Sequence, residues 1–168
     1  GGDVTEDGNF LIITAATSTT GNELYMQDLR NPASKIVKLV DNFNNDYNVI
    51  HSKGDVLFIE TNYDAPNGRV MSMNVKSPAI ENWKELIPET ENVLRIGAAG
   101  GKFFANYLKD ATSMVQQFDT DGNMEREIEL PGIGSVGGFG GRLEDTELYY
   151  TFTSYVYPPT IFKFDIAS

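Results

Sequence analysis

The residues best suited to catalysis are few, and their order along the chain argues against a serine hydrolase. Residues 133–137 (IGSVG) come nearest to the Gly-x-Ser-x-Gly pattern, which places a nucleophilic serine on a sharp strand-to-helix turn, but the first glycine is missing. The only histidine, His51, lies 84 residues before Ser135, whereas in α/β-hydrolases the base follows the nucleophile. We therefore predict no catalytic residue in this chain.

Other patterns that could bind a cofactor or metal are better explained by structural roles, namely a buried histidine, a strand and a hairpin turn. A lone histidine has no histidine or cysteine to complete a metal site, so His51 is predicted to be partly buried and hydrogen-bonded. Residues 132–137 match Gly-x-Gly-x-x-Gly, but a dinucleotide site needs a helix to begin there, and a strand is expected. Residues 119–123 (DTDGN) resemble the start of a calcium loop without its closing glutamate, which favours a hairpin turn. We expect no cofactor and no metal.

Composition excludes further classes of function. With 24 acidic and 13 basic residues the net charge is −11, and no basic stripe offsets it, so neither nucleic acid nor an anionic membrane is an expected partner. Glycosidase chemistry needs two carboxylates across one pocket, and the acidic pairs at 89/91 and 144/145 fall in predicted turns.

Cysteine is absent, which excludes disulfides and thiol chemistry. Residues 1–4 (GGDV) lack the character of a signal peptide and read as an arbitrary cut, and no apolar run is long enough for a membrane helix.

The elements that would position any site repeat with a period of about 46 residues. One series of markers opens a strand in each repeat, and a second marks the end of a later strand. The first series is Phe10, Leu57, Phe103 and Leu148, spaced by 47, 46 and 45 residues, and the second is Asp28, Asn74, Asp119 and Asp165, spaced by 46, 45 and 46. Such a period, with four short strands in each unit, predicts an all-β fold of β-propeller blades at about 1–43, 44–90, 91–131 and 132–168.

Each blade is predicted to hold four antiparallel strands, a to d. We place strand b at 8–14, 54–60, 101–107 and 145–151, and strand c at 23–29, 69–75, 113–120 and 160–166. We place strand d at 36–40, 83–87 and 126–130, and strand a at 47–52, 93–98 and 135–140. The first blade is expected to lack strand a and the last to lack strand d. The two ends could complete each other in a ring of four blades, or the chain could be part of a larger ring.

The connections that would carry function are those between strands b and c. Strand direction alternates within a blade, so the d–a and b–c connections share one face. We expect the b–c loops to be the longest, and long loops tend to carry function. They are placed at 15–22, 62–68, 108–112 and 154–159. No helix is expected, because Pro78 interrupts the nearest helical pattern, at 76–86.

Four stretches in register resemble the propeller of prolyl oligopeptidases, especially bacterial ones. They are 7–29 (DGNFLIITAATSTTGNELYMQDL), 38–47 (KLVDNFNNDY), 61–69 (TNYDAPNGR) and 145–165 (DTELYYTFTSYVYPPTIFKFD). The resemblance implies part of a seven-bladed propeller that caps an α/β-hydrolase domain, which follows it and holds the catalytic Ser, Asp and His. It also implies that the b–c face is turned toward that peptidase domain, and it leaves the compartment open between the cytoplasm and the periplasm of a bacterium.

The function that the resemblance implies is non-catalytic gating of short proline-containing peptides to the absent hydrolase domain. Animal members carry an arginine and a cysteine in the first b–c loop, where this chain has Ala16 and Thr19, which supply neither cation nor thiol. The other loop candidates for facing substrate are Asn62 and Tyr63. Expected partners are the peptidase domain of the same chain and short peptides, and the open blade edges favour self-association. The alternative is a stand-alone propeller that acts as a binding module; a glycan-active propeller is disfavoured.

Overall fold

The computed structural model describes residues 1–167, which form almost only β-strands. Four antiparallel sheets follow one another along the chain, and in each sheet the hydrogen-bonded neighbours are strands consecutive in sequence. The helical content of the described part is the single 3-10 turn Ile80–Asn82, within the stretch that Pro78 was expected to interrupt. The chain divides into two compact units, Gly1–Pro88 and Glu89–Ser168.

The first unit contains two sheets of four strands. The first sheet is formed by β1 (Gly2–Val4), β2 (Phe10–Ala15), β3 (Glu23–Asp28) and β4 (Val37–Val40). The second sheet is formed by β5 (Tyr47–Lys53), β6 (Val56–Thr61), β7 (Arg69–Asn74) and β8 (Lys84–Ile87). The apolar residues that alternate along these strands form one shared core, in which Phe10, Leu24, Leu57, Ile59 and Met73 are fully buried.

Strand β1 corrects the expectation that the first blade lacks strand a. Gly2 pairs with Ile13 and Val4 with Leu11 in an antiparallel ladder. The backbone N–H of Thr14 donates to the carbonyl oxygen of Gly1 at 2.9 Å. The sequence pattern could not reveal this strand because all three of its residues are exposed and backbone bonds alone hold it in place.

The second unit contains one sheet of four strands and one of three. The former is formed by β9 (Val93–Ala99), β10 (Lys102–Lys109), β11 (Thr112–Phe118) and β12 (Met124–Glu127). The latter is formed by β13 (Ser135–Gly137), β14 (Glu147–Thr153) and β15 (Thr160–Asp165), with no fourth strand among the described residues. Aromatic rings dominate the core, and the Phe139 ring lies 4.7 Å from that of Tyr150 and 5.2 Å from that of Phe104.

Polar side chains join the two sheets of the second unit. Asn106 on β10 is buried and donates from Nδ2 to the carbonyl oxygen of Val136 at 2.9 Å. The hydroxyl oxygen of Ser113 on β11 accepts from the backbone N–H of the same Val136, also at 2.9 Å. Both backbone groups of one residue in β13 are therefore satisfied by side chains of the preceding sheet.

The prediction that the b–c loops are the longest is wrong. The b–c connection of the third sheet is the two-residue hairpin Asp110–Ala111, since β10 extends to Lys109 and β11 begins at Thr112. The connections at 75–83 and 138–146, which belong to the c–d and a–b classes, are each longer than the b–c loop at 16–22. Loop length follows how far each strand ladder extends, which the alternation pattern does not encode.

Ala111 offers a test of this hairpin. Its φ is 62° and that of Asp110 is 51°, as a type I′ turn requires, but alanine pays a steric cost in the left-handed region. We expect Ala111→Gly to raise the free energy of unfolding by about 1 kcal/mol in urea denaturation. Ala33→Gly, at an exposed alanine without a positive φ, should lower it. Equal effects of the two changes would contradict the assignment of the turn.

Candidate functional site

Two of the predicted site residues line one pocket in the first unit. Ala16 and Thr19 lie in the loop between β2 and β3, are exposed, and border a cavity of about 280 Å³. Its other walls come from the end of β2 and from the segment that leads into β5. Its lining also includes Gly21, Asn22, Asp46 and Tyr47.

Gly21 lets the two pocket loops touch. Its φ is +79°, and a Cβ at this position would lie 1.8 Å from the carbonyl oxygen of Phe43. The backbone N–H of Gly21 donates to Oδ1 of Asp46 at 2.7 Å, and that of Asn22 donates to the carbonyl oxygen of Asn45 at 2.9 Å. Only glycine permits both this backbone conformation and this approach.

Asn22 joins the first sheet to the second. Its Oδ1 accepts from the backbone N–H of Tyr47 at 2.9 Å, and its Nδ2 donates to the carbonyl oxygens of Tyr47 and Glu23, each at 3.1 Å. One side-chain amide thus satisfies both backbone groups of the first residue of β5. We call these three hydrogen bonds the Asn22 clamp. The clamp holds Tyr47, which lines the pocket and is buried in the shared core, so this side of the pocket is fixed.

Asn62 touches the pocket through Asp46 but does not line it. Its Oδ1 accepts from the backbone N–H of Asp46 at 2.8 Å, and its Nδ2 donates to Oδ2 of that residue at 3.3 Å. The hydroxyl group of Thr61 donates to the carbonyl oxygen of Asp46 at 2.7 Å. The side chain and backbone of Asp46 are therefore fixed by two neighbouring loops, which makes it a rigid acidic edge of the cavity.

Tyr63 lies away from the cavity in an aromatic cluster. Its ring centroid is 6.5 Å from that of Tyr47, and the Arg69 guanidinium lies 5.8 Å from its ring centroid. Arg69 also pairs with Glu85 at 2.9 Å. Burial raises the pKa of Tyr47 to about 12, so its hydroxyl stays protonated at neutral pH. Tyr63 therefore packs near Tyr47, which lines the pocket, and does not line the pocket itself.

The remaining patterns with catalytic or metal-binding potential have structural roles. Ser135 lies in β13 and pairs with Thr153, so no strand-to-helix turn presents it. A Cβ on Gly134 would lie 2.3 Å from the carbonyl oxygen of Thr153, so close packing requires glycine there. Oδ1 of Asp119 accepts from the backbone N–H groups of Asp121 and Asn123, each at 2.9 Å, in the expected hairpin. Among residues 1–167 no group of three or more His, Cys, Asp or Glu side chains is placed to hold a metal ion.

His51 is half-buried in β5, and its ring stacks on Phe58 at 5.6 Å. Burial lowers the pKa of His51 below its usual 6.5, and the opposing attraction of Glu6 and Asp7 is smaller. A lowered pKa in the folded state means that protonation favours the unfolded chain. The free energy of unfolding therefore has its full value above about pH 6.5, where His51 is neutral in both states, and it decreases as the pH falls below that value.

We accordingly expect the free energy of unfolding to fall between about pH 7.5 and pH 5.5. Asp28 and Asp55, whose pKa values are lowered by hydrogen bonds from Arg30, lose their contributions only nearer pH 4 and below. His51 is the only histidine, so His51→Gln should flatten the dependence in this window. Urea titrations at several pH values would measure it, and a wild-type curve as flat as that of the variant would refute the expectation.

The pocket residues Gly21, Asn22 and Asp46 were not predicted from the sequence. Gly21 and Asn22 fall inside the predicted loop at 15–22, but residue type marks neither them nor Asp46 as a site residue, because small and polar residues are common in loops. The only signal was Gly21–Asn22 directly before strand c, a dipeptide typical of a turn. In the part of the chain that the structure describes, no helix has the length and apolar character needed to cross a bilayer.

Comparison with known proteins identifies the family. The sequence matches prolyl oligopeptidase, N-terminal beta-propeller domain, over residues 1–168. It is 46% identical to a prolyl endopeptidase of Elizabethkingia miricola, over 99% of this chain and 24% of that protein. It is 43% identical to a prolyl endopeptidase of Elizabethkingia meningoseptica, over 98% of this chain and 23% of that protein.

Solved structures agree with the sequence match. A structure from a study of two prolyl endopeptidases superposes with a TM-score of 0.89 at 30% identity, over 99% of this chain and 24% of that one. The chain thus spans about a quarter of the length of these relatives. The antiparallel sheets agree with a propeller fold, and the chain belongs to the N-terminal β-propeller domain of the prolyl oligopeptidase family.

Proposed function

We propose that this chain is a non-catalytic part of the propeller of a prolyl oligopeptidase-type serine peptidase. In the intact protein it gates the access of short proline-containing peptides to a hydrolase domain elsewhere in the polypeptide. The observation that carries the proposal is the 46% identity of nearly the whole chain to about a quarter of a prolyl endopeptidase. We further propose that a seven-bladed propeller contains the four blades at about 1–43, 44–90, 91–131 and 132–168.

The loop pocket supports the gating role. Ala16 and Thr19 are small, uncharged and exposed, and the firmly held carboxylate of Asp46 borders the same cavity. A cavity of about 280 Å³ lies just below the usual range for small-molecule sites, so it can hold a short segment of peptide but not a folded chain. We propose that the loop at 16–22, supported by Asn62 and Tyr63, is the part of this chain that faces peptide.

The test uses the full-length polypeptide that contains this chain. Unmodified protein should cleave a chromogenic Gly-Pro substrate, and the 168-residue chain alone should not. Thr19→Trp would fill the pocket and should raise KM for longer proline peptides while leaving kcat for the short substrate unchanged. Ser77→Trp, in an exposed c–d loop, is the matched control and should change neither. A full-length protein without peptidase activity would refute the proposal and favour a binding module.

We also propose that the isolated 168-residue chain self-associates through the outer face of its last blade. Ile161 occupies the repeat position of Leu24 and Val115, four residues before the marker that ends strand c. Leu24 and Val115 are fully buried, whereas Ile161 is 72% exposed. Sedimentation should show association that increases with salt, since the net charge of −11 opposes it, and Ile161→Lys should weaken it. A monomer at all concentrations would refute this.

A further inference from the structure

The loops at one end of the first unit carry acidic residues and no basic ones. Three loops lie at this end, at 16–22, 41–46 and 62–68. Their only charged residues are Asp41, Asp46 and Asp64. The loops at the opposite end of the same strands hold three basic and four acidic residues; they lie at 5–9, 29–36, 54–55 and 75–83. The end of this unit that carries the pocket is therefore the one that attracts cations.

The Asp46 carboxylate has no cationic partner within the chain. Its two hydrogen-bond donors are uncharged: the backbone N–H of Gly21 donates to Oδ1 at 2.7 Å, and Nδ2 of Asn62 donates to Oδ2 at 3.3 Å. Among residues 1–167, the ion pairs of lysine and arginine side chains are all made with other carboxylates. A carboxylate has about four acceptor sites, of which these bonds use two. Asp46 is exposed, so the remaining sites can accept from a donor outside the chain.

The lining of the pocket suits a long side chain that ends in a cation. Asp46 is the only charged residue among the nine that line it. Thr14, Thr19 and Asn48 add hydroxyl and amide groups to the lining, and Ala16 adds apolar surface for a methylene stem. The volume of about 280 Å³ has room for one such side chain. An ammonium group carries three donors, so it can bind Asp46 and neighbouring oxygens together.

We propose that this pocket binds the lysine or arginine side chain of a peptide substrate, and that Asp46 sets a preference for cationic over neutral and anionic proline peptides. This inference rests on the proposed function, in which the loop at 16–22 faces peptide. Because Asn62 and Thr61 hold the backbone of Asp46, the carboxylate is fixed in advance and a ligand loses little binding energy in ordering it. A contact of this kind, made equally before and during the reaction, lowers KM and leaves kcat unchanged.

The test measures kcat/KM of the full-length polypeptide on matched chromogenic peptides that end in Gly-Pro. In each pair, one residue before Gly is lysine in one peptide and norleucine in the other, and successive pairs move this residue away from the proline. At one position the unmodified protein should prefer lysine by about fivefold, mainly through KM, which is what an exposed charge pair can supply. A glutamate peptide should be the poorest substrate there, and added salt should reduce the preference.

Two variants separate the pocket from the general charge of these loops. Asp46→Asn removes the charge and keeps an acceptor for the Gly21 N–H, so the ratio of lysine to norleucine peptide should fall to about one. Asp41→Asn is the matched control. It removes the same charge from the same loop at an exposed residue that does not line the pocket, and it should retain most of the preference.

Each other outcome counts against a defined statement. A lysine preference that survives Asp46→Asn, or that falls equally in both variants, would overturn the proposal, because the pocket would not be its source. An unmodified protein that cleaves both peptides of every pair equally would overturn it too and would leave the proposed function intact. A full-length protein that cleaves no proline peptide would instead refute the proposed function.

Discussion

Replacing Gly21 by alanine is expected to lower the free energy of unfolding by more than about 3 kcal/mol. The left-handed conformation alone costs an alanine about 1–2 kcal/mol. The new Cβ would also lie 1.8 Å from the carbonyl oxygen of Phe43, so the loop at 41–46 must move. That movement would break the bond from Gly21 to Asp46 and deform the pocket.

Gly8 supplies a matched control for this change. Its φ is +77°, close to the +79° of Gly21, but no atom lies within 4 Å of the position that its Cβ would take. Gly8→Ala should therefore cost only about 1–2 kcal/mol. Urea denaturation measures the loss of unfolding free energy in each variant. The difference between the two losses is the part that comes from the close approach of the two loops. Similar losses in the two variants would show that the loops can separate freely.

Asn22→Ala is expected to destabilise the fold by about 3 kcal/mol, because it removes three hydrogen bonds and leaves both backbone groups of buried Tyr47 without a partner. Asn22→Asp retains the acceptor for the Tyr47 N–H but loses the donor, so it should also destabilise. Asn48→Ala, at an exposed pocket residue two positions from Asp46, should stay within about 0.5 kcal/mol of wild type. Equal effects at positions 22 and 48 would show that the clamp contributes nothing.

The repeat and most strands could be predicted because burial alternates along them. In β14, for example, Leu148, Tyr150 and Phe152 are buried while the residues between them are exposed. Strand β1 carries no such pattern, since backbone bonds alone hold its exposed residues. The hairpin at Asp110–Ala111 lies inside the predicted loop at 108–112, but its tight turn was not predicted, because alanine is not a usual choice for positive φ.

The site was predictable only as a loop. Ala16 and Thr19 lie in the loop predicted between strands b and c, which lines the pocket, and their contact with peptide stays a prediction. The residues that build the pocket were out of reach, because Gly21 and Asn22 act through bonds to residues 25 positions later. Such bonds depend on how two sheets pack within a unit, and no local pattern records that.

The pairing of consecutive strands has a consequence for synthesis on the ribosome. Every sheet closes with strands that lie next to one another in sequence, so little chain entropy opposes each closure. With a repeat of about 46 residues and elongation at about 5–20 residues per second, roughly one blade emerges every 2 to 9 seconds. The sheet that ends at Val40 can thus form before Tyr47 arrives to meet Asn22. Within the first unit, the first sheet is then in place to bind the start of the second through Asn22.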